Sequence, residues 1–183
     1  MPKALIPLAD GCEELEAVTL IDLLRRASIE VITASLKDAP VHCSRGTRLL
    51  ADCLLDDVLE QHFDLFVLPG GLPGADNLNT DARIHTLIRR LEAEGCYIAA
   101  ICAAPKVLVE NGILKGRTLT AYPGSLAAID TSHVHLTQQP IVIDGKVITS
   151  RGPGTAMDFS LQLIELLTDK TVRDRVEAGL QRP

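Results

Sequence analysis

At 183 residues, with a net charge of −6, 46% hydrophobic but 3% aromatic residues and no tryptophan, the chain has the length of one domain and must build an aliphatic core. Its basic residues occur singly or in pairs (Arg25-Arg26, Arg89-Arg90), which with the acidic balance argues against an obligatory nucleic-acid partner or an anionic membrane surface. No apolar run approaches membrane-spanning length, and Met1-Pro2-Lys3 leads straight into a strand pattern without the marks of a signal peptide.

Strand and helix patterns alternate along almost the whole chain. Lys3–Leu8 reads as a strand and Glu13–Ala27 as a helix, with Leu15, Val18, Leu20, Ile21, Leu23 and Leu24 spread over more than one side. Between them Asp10-Gly11-Cys12-Glu13-Glu14-Leu15-Glu16 crowds carboxylates into the first helical turn, where the helix dipole favours them. Periodicity does not say which of them faces inward. Glu30–Ser35 is a second strand, and Val41–Leu50 a short hairpin turning at Arg45-Gly46. Phe63–Leu68 is a strong strand ending in Pro69-Gly70-Gly71-Leu72-Pro73-Gly74. That turn is either an ordinary tight turn or an oxyanion hole, because glycines let backbone amides approach a reacting atom. Thr80 is placed to cap a helix carrying Ile84, Leu87, Ile88 and Leu91 on one face and closed by Gly95.

Tyr97-Ile98-Ala99-Ala100-Ile101 is a short apolar run of strand character that stops at Cys102, followed at once by Ala103-Ala104-Pro105 and the helical pattern Lys106–Glu110. A thiol therefore sits at a strand-to-helix elbow, where backbone N–H groups favour an anion and lower a cysteine pKa. Read from these residues alone, Cys102 is either such a reactive thiol or one more buried small apolar residue. A strand at Thr118–Ala121, a loop around Pro123-Gly124 and the patch His133-Val134-His135-Leu136 follow; the two histidines lack a third partner for a metal. Ile141–Thr149 reads as a hairpin turning at Asp144-Gly145, and Thr155…Asp158 as a capping box opening a helix with Phe159, Leu163 and Leu166 on one side.

The five cysteines (Cys12, Cys43, Cys53, Cys96, Cys102) show no CxxC spacing, and Cys96 and Cys102, closest in sequence, fall at opposite ends of one strand. Neither a disulfide framework nor a zinc site is expected, and the setting expected is a reducing cytoplasm. The GxGxxG and GxxxxGK[ST] patterns are missing, so no nucleotide cofactor is expected. Repeated strand–helix units predict a single α/β domain, a three-layer flavodoxin-like sandwich with a mostly parallel sheet between helices. Ligands would then bind at the carboxyl ends of strands, which Gly70-Gly71 and Cys102 mark.

GCEELEAV after the first strand, CSRG at 43–46, VLPGG at 67–71, AAICAAP at 99–105 and TSRGPGTAMDF at 149–159 together resemble the ThiJ/PfpI superfamily, in its DJ-one/YajL-like branch. The resemblance runs over nearly the whole chain in order and spacing. It implies that Cys102 is an oxidation-sensitive nucleophile and that Glu16 hydrogen-bonds its sulfur. It implies Gly70, Gly71 and Ala103 as backbone donors, and Arg45, Tyr122, Arg151 and Pro153 as residues lining the site. It also implies a homodimer through the first helix, with Asp22, Arg25 and Arg26 at the interface and Cys43 as an interfacial cysteine; Cys12, Cys53 and Cys96 are left as structural.

Two positions depart from parts of that family. Ala103 follows Cys102 where the intracellular proteases have histidine, which excludes the adjacent Cys-His arrangement of a protease. Tyr122 precedes Pro123 where some relatives place histidine, so general-base help is weakened. The function implied is protection against reactive carbonyls and oxidants: cofactor-independent glyoxalase or deglycase chemistry on methylglyoxal, glyoxal or their adducts on protein. The alternative is a redox-sensing chaperone of unfolded protein whose Cys102 is oxidised to sulfinate without turnover.

Overall fold

The computed structural model describes residues 1–182. Among the described residues eleven strands and six α-helices follow in the order β1 (Lys3–Leu8), α1 (Glu14–Arg26), β2 (Glu30–Ser35), β3 (Val41–His42), β4 (Arg48–Leu49), β5 (Cys53–Leu54), β6 (Leu65–Leu68), α2 (Gly74–Thr80), α3 (Ala82–Ala93), β7 (Tyr97–Ile101), α4 (Pro105–Asn111), β8 (Thr118–Leu119), β9 (His135–Leu136), β10 (Ile141–Asp144), β11 (Val147–Ser150), α5 (Ala156–Leu167) and α6 (Lys170–Gly179). The main sheet has the order β10-β11-β7-β6-β1-β2-β5 and is parallel throughout except for the β10–β11 edge hairpin. β3 pairs with β4, and β8 with β9, outside it.

Strand alternation distributes the core over two faces. On β1, Ala4, Ile6 and Leu8 join Leu20, Leu24, Phe159 and Ile164 beneath α1 and α5, whereas Leu5 joins Ile84, Leu87, Ile88 and Leu108 beneath α3 and α4. This is the three-layer α/β sandwich expected from the repeating units. The chain runs from β1 to one side of the sheet and returns through β6 to the other, so β1 and β6 flank a topological switch point. The loops after β1, β6, β7 and β11 meet at that end.

Four local expectations shift. Asp81, not Thr80, caps α3 by accepting from the Arg83 amide. Thr80 instead closes α2, a helix without a periodic signal because Gly74–Thr80 carries few apolar residues. The β10–β11 turn centres on Gly145-Lys146, one residue later than expected, since Asp144 pairs with Val147. Only the first of these two has positive φ, the pattern of a II′ rather than a I′ turn. The Thr155 hydroxyl does not cap α5; it bonds Gly152 and Ser150 and folds the turn that follows β11. His133 lies outside β9, so it does not share a strand face with His135.

Candidate active site

Cys102 adopts φ 64°, a left-handed conformation that costs a non-glycine residue energy and persists only where its surroundings impose it. Here its N–H donates to Ser150 O (2.9 Å) and its C=O accepts from the Tyr122 N–H (2.8 Å), so β11 and the loop after β8 clamp the elbow from both sides. The abrupt turn leaves Cys102 7% exposed, beside a cavity of about 620 Å³ lined by Glu13, Arg45, Gly71, Tyr122 and Pro153 among others.

Of the carboxylates crowded at the start of α1, the structure turns one inward. Glu13 is the N-cap, its carboxylate accepting from the Glu16 amide at 2.9 Å. Glu14 reaches across to the β3–β4 turn and accepts from the Arg45 and Thr47 amides. Glu16, with no solvent exposure, points at the elbow; its Oε2 accepts from the Gly70 N–H at 2.8 Å. Oε1 is buried without a hydrogen bond of regular geometry among the described residues, and after the Gly70 amide the Cys102 thiol is the next polar group that acts on this carboxyl.

Gly70 cannot be replaced without disturbing the pair. A Cβ there would lie 2.6 Å from Cys102 Cβ and 2.8 Å from Glu16 Oε2, so the absent side chain is what lets strand, thiol and carboxyl converge. Its amide is committed to Glu16, however, and is not free to hold an oxyanion. The donors acting on the sulfur are the Gly71 and Ala103 amides.

Burial pushes the Glu16 carboxyl up to about 7, opposed by the Gly70 hydrogen bond. Burial, then the charge of the Glu16 carboxylate, pushes the Cys102 thiol up to about 12, against the pull of the Gly71 and Ala103 amides. This corrects the expectation of a lowered thiol pKa: the elbow supplies anion-favouring amides, but desolvation and a facing carboxylate outweigh them. The two groups titrate together, and when the pair holds one proton it resides on either oxygen or sulfur. With the proton on oxygen, a neutral carboxylic acid replaces a buried carboxylate, and the thiolate keeps both amides.

Arg45, Tyr122, Pro153, Gly71 and Ala103 do share the cavity with Cys102. Arg151 does not line it. Its guanidinium donates to Gln138 O at 2.7 Å, in a neighbouring depression that also touches Tyr122. Cys43 is not presented outward either, because the β3–β4 hairpin folds its thiol inside the chain to 3.5 Å from that of Cys12. These, and not Cys96 and Cys102, are the thiols brought together. Asp22 and Arg26 form an exposed ion pair on α1, and Arg25 bonds Asp52 and Val31 O. At the amino ends of the strands, His62, Glu94 and Cys96 bring their ligand atoms within 4.8 Å of one another. Glu94 already pairs with Arg90 and His62, and the Cys96 thiol donates to Phe63 O, so this cluster is satisfied without a cation.

Comparison with known proteins agrees over nearly the whole chain. The pattern of the DJ-1/PfpI family matches residues 2–166. Protein dj-1beta of Drosophila melanogaster is 42% identical over 179 residues, covering 97% of this chain and 96% of that protein. A Caenorhabditis elegans protein named glutathione-independent glyoxalase DJR-1.2 is 36% identical over 163 residues, covering 89% of this chain and 86% of that protein. The crystal structure of Drosophila melanogaster DJ-1beta superposes with a TM-score of 0.95 at 41% identity, covering 100% of this chain and 98% of that one.

Proposed function

The chain belongs to the DJ-1/PfpI family, and from that membership we propose that it is a stress-protective enzyme converting small reactive carbonyls without a cofactor. Methylglyoxal and glyoxal, free or as adducts on protein, are the substrates, and the reducing cytoplasm is its setting. The observation that carries this reading is the strained Cys102 elbow sharing a buried, titratable contact with Glu16 inside a cavity. The name of the Caenorhabditis elegans relative supports the reaction class.

The chemistry follows from the pair. With its proton on Glu16, the Cys102 thiolate adds to the aldehyde carbon of methylglyoxal, forming the C–S bond, and the carboxyl proton passes to the alkoxide. The resulting carboxylate takes the proton from the same carbon and returns it to the neighbouring one, while the hydroxyl proton passes to the neighbouring carbonyl oxygen, leaving a lactoyl thioester. Water cleaves the thioester to lactate and restores thiol. The Gly71 and Ala103 amides stand beside the sulfur, where oxygen charge develops. Graded peroxide treatment, with intact-protein mass spectrometry and lactate formation followed on the same samples, tests the proposal. Lactate formation lost in step with Cys102 oxidation supports it; lactate at the uncatalysed rate from fully reduced protein overturns it.

The redox-sensing reading rests on the same amides and carboxyl, which fit the oxygens of a sulfinate as well as those of an intermediate. It predicts turnover at background and a holdase activity gained on oxidation.

Tyr122 is 51% exposed on the cavity wall. Phenols hold their proton at neutral pH, whereas imidazole exchanges its own. Tyr122→His is expected to raise lactate formation roughly tenfold, because a second positioned base contributes up to about 10²–10⁴-fold. A folded variant without that gain would show that position 122 is not coupled to proton transfer.

We also propose a homodimer through α1. Leu15 and Val18 are exposed large hydrophobics on a ridge that continues to Asp22. Sedimentation at micromolar concentration is expected to give about twice the chain mass of 19.7 kDa. A monomer across that range would remove Asp22, Arg25 and Arg26 from any interface.

A further inference from the structure

Cys12 and Cys43 come from loops after different strands and are 31 residues apart, yet their sulfurs are 3.5 Å apart inside one chain. Backbone hydrogen bonds fix that approach on both sides. Gly11 N–H donates to His42 O (2.7 Å), and Ser44 N–H donates to Cys12 O (2.8 Å), so the two segments run together like neighbouring strands. Chains at strand spacing fall within the Cα separation that a disulfide requires. The Glu14 carboxylate, accepting from the Ser44 hydroxyl and the Arg45 and Thr47 amides, ties the same loop to α1.

We propose that Cys12 and Cys43 form a reversible intramolecular disulfide, a second redox site beside Cys102, closed by a peroxide or another two-electron oxidant. Cys43 retains 7% exposure and Cys12 none, so Cys43 meets the oxidant and Cys12 resolves it. The Cys43 sulfur attacks the peroxide, the O–O bond breaks, and a sulfenic acid and one water (or alcohol) result. Cys12 sulfur then displaces the sulfenic oxygen, which leaves as a second water with the Cys12 proton. The pair loses two protons and two electrons in all, and a dithiol reductant restores it. Burial, which disfavours a thiolate at either position, does not oppose the neutral disulfide.

The residues beside each thiol, Glu13 on one side and Ser44 and Arg45 on the other, line the Cys102 cavity. Closing the pair therefore pins two parts of its wall to each other.

The crosslink is sought first in full-length Cys102→Ser, where the catalytic thiol cannot contribute. After hydrogen peroxide, or diamide without added thiol, the intact mass is expected to fall by two hydrogens. Non-reducing digestion should yield one linked peptide pair containing Cys12 and Cys43, reversed by dithiothreitol and absent in Cys12→Ala. In the wild-type chain, diamide should change the rate of Cys102 alkylation by roughly threefold or more, with no change in Cys43→Ala. Both thiols remaining open to alkylation after unfolding, or a link joining Cys43 of two chains, would overturn the proposal. So would a closed pair that leaves Cys102 alkylation unchanged, since the cavity wall would then be indifferent to it. Because the crosslink is measured without Cys102, its failure is separable from failure of the carbonyl chemistry.

Discussion

Cys102→Ser is expected to lower lactate formation from methylglyoxal by about 10³-fold or more, with the fold intact. Serine fits the same strained backbone and the same 7% exposed position, so the elbow keeps its shape. What it loses is ionisation. An alcohol beside Glu16 does not yield an appreciable anion when the pair drops to one proton, and the Gly71 and Ala103 amides then have no charge to hold. Thermal unfolding with wild-type cooperativity, together with lactate at the uncatalysed rate, is the expected pair of results. A variant retaining a tenth of wild-type turnover would move the chemistry away from the elbow.

Glu16→Gln separates orientation from proton transfer. The amide can still face the sulfur, so sulfinate formation at Cys102 under peroxide should survive where the pH is high enough to ionise the buried thiol. Carbonyl turnover should fall by about 10²-fold, the usual contribution of a positioned acid or base. Stability carries a second signature. The Glu16 carboxyl titrates at about 7 in the fold against 4.5 for an ordinary glutamate, so between those values the folded chain binds a proton that the unfolded chain has released. Its contribution is therefore fully present below pH 4.5 and is lost as pH rises through about 7, a fall of about 3 kcal/mol. Denaturant unfolding at pH 4.5 and 8 should show that fall in the wild type and not in Glu16→Gln. Equal slopes in the two proteins, or unchanged turnover in the variant, would make Glu16 a spectator.

Much of this architecture is legible in residue patterns because buried parallel strands and amphipathic helices write strong periodic signals. The runs at Lys3–Leu8, Glu30–Ser35 and Tyr97–Ile101 have the bounds found in the sheet. α2 escaped because Gly74–Thr80 is held by its neighbours and not by propensity. The thiol at the elbow is visible as a break between strand and helix patterns, but its positive φ is not, since cysteine gives no local signal for it. Glu16 is a different case. Glu13, Glu14 and Glu16 look alike in a helical turn, and only the family resemblance selected the one that burial later marked. That same resemblance placed Gly70 among the free donors, and the structure shows its amide spent on Glu16. The Cys12–Cys43 contact depends on how a two-residue strand pair folds over the loop after β1, which no spacing encodes.

The pH dependence of Cys102 alkylation by iodoacetamide, mapped by peptide and run in wild type and Glu16→Gln, addresses the shared proton most directly. A proton shared between Glu16 and Cys102 predicts that the wild-type rate rises with a midpoint near the first titration of the pair, about 7. In Glu16→Gln that midpoint should vanish, leaving a rise only at higher pH as the buried thiol titrates alone. Superimposable profiles in the two proteins, or a wild-type rate that stays flat until the thiol's own titration at about 12, would contradict it.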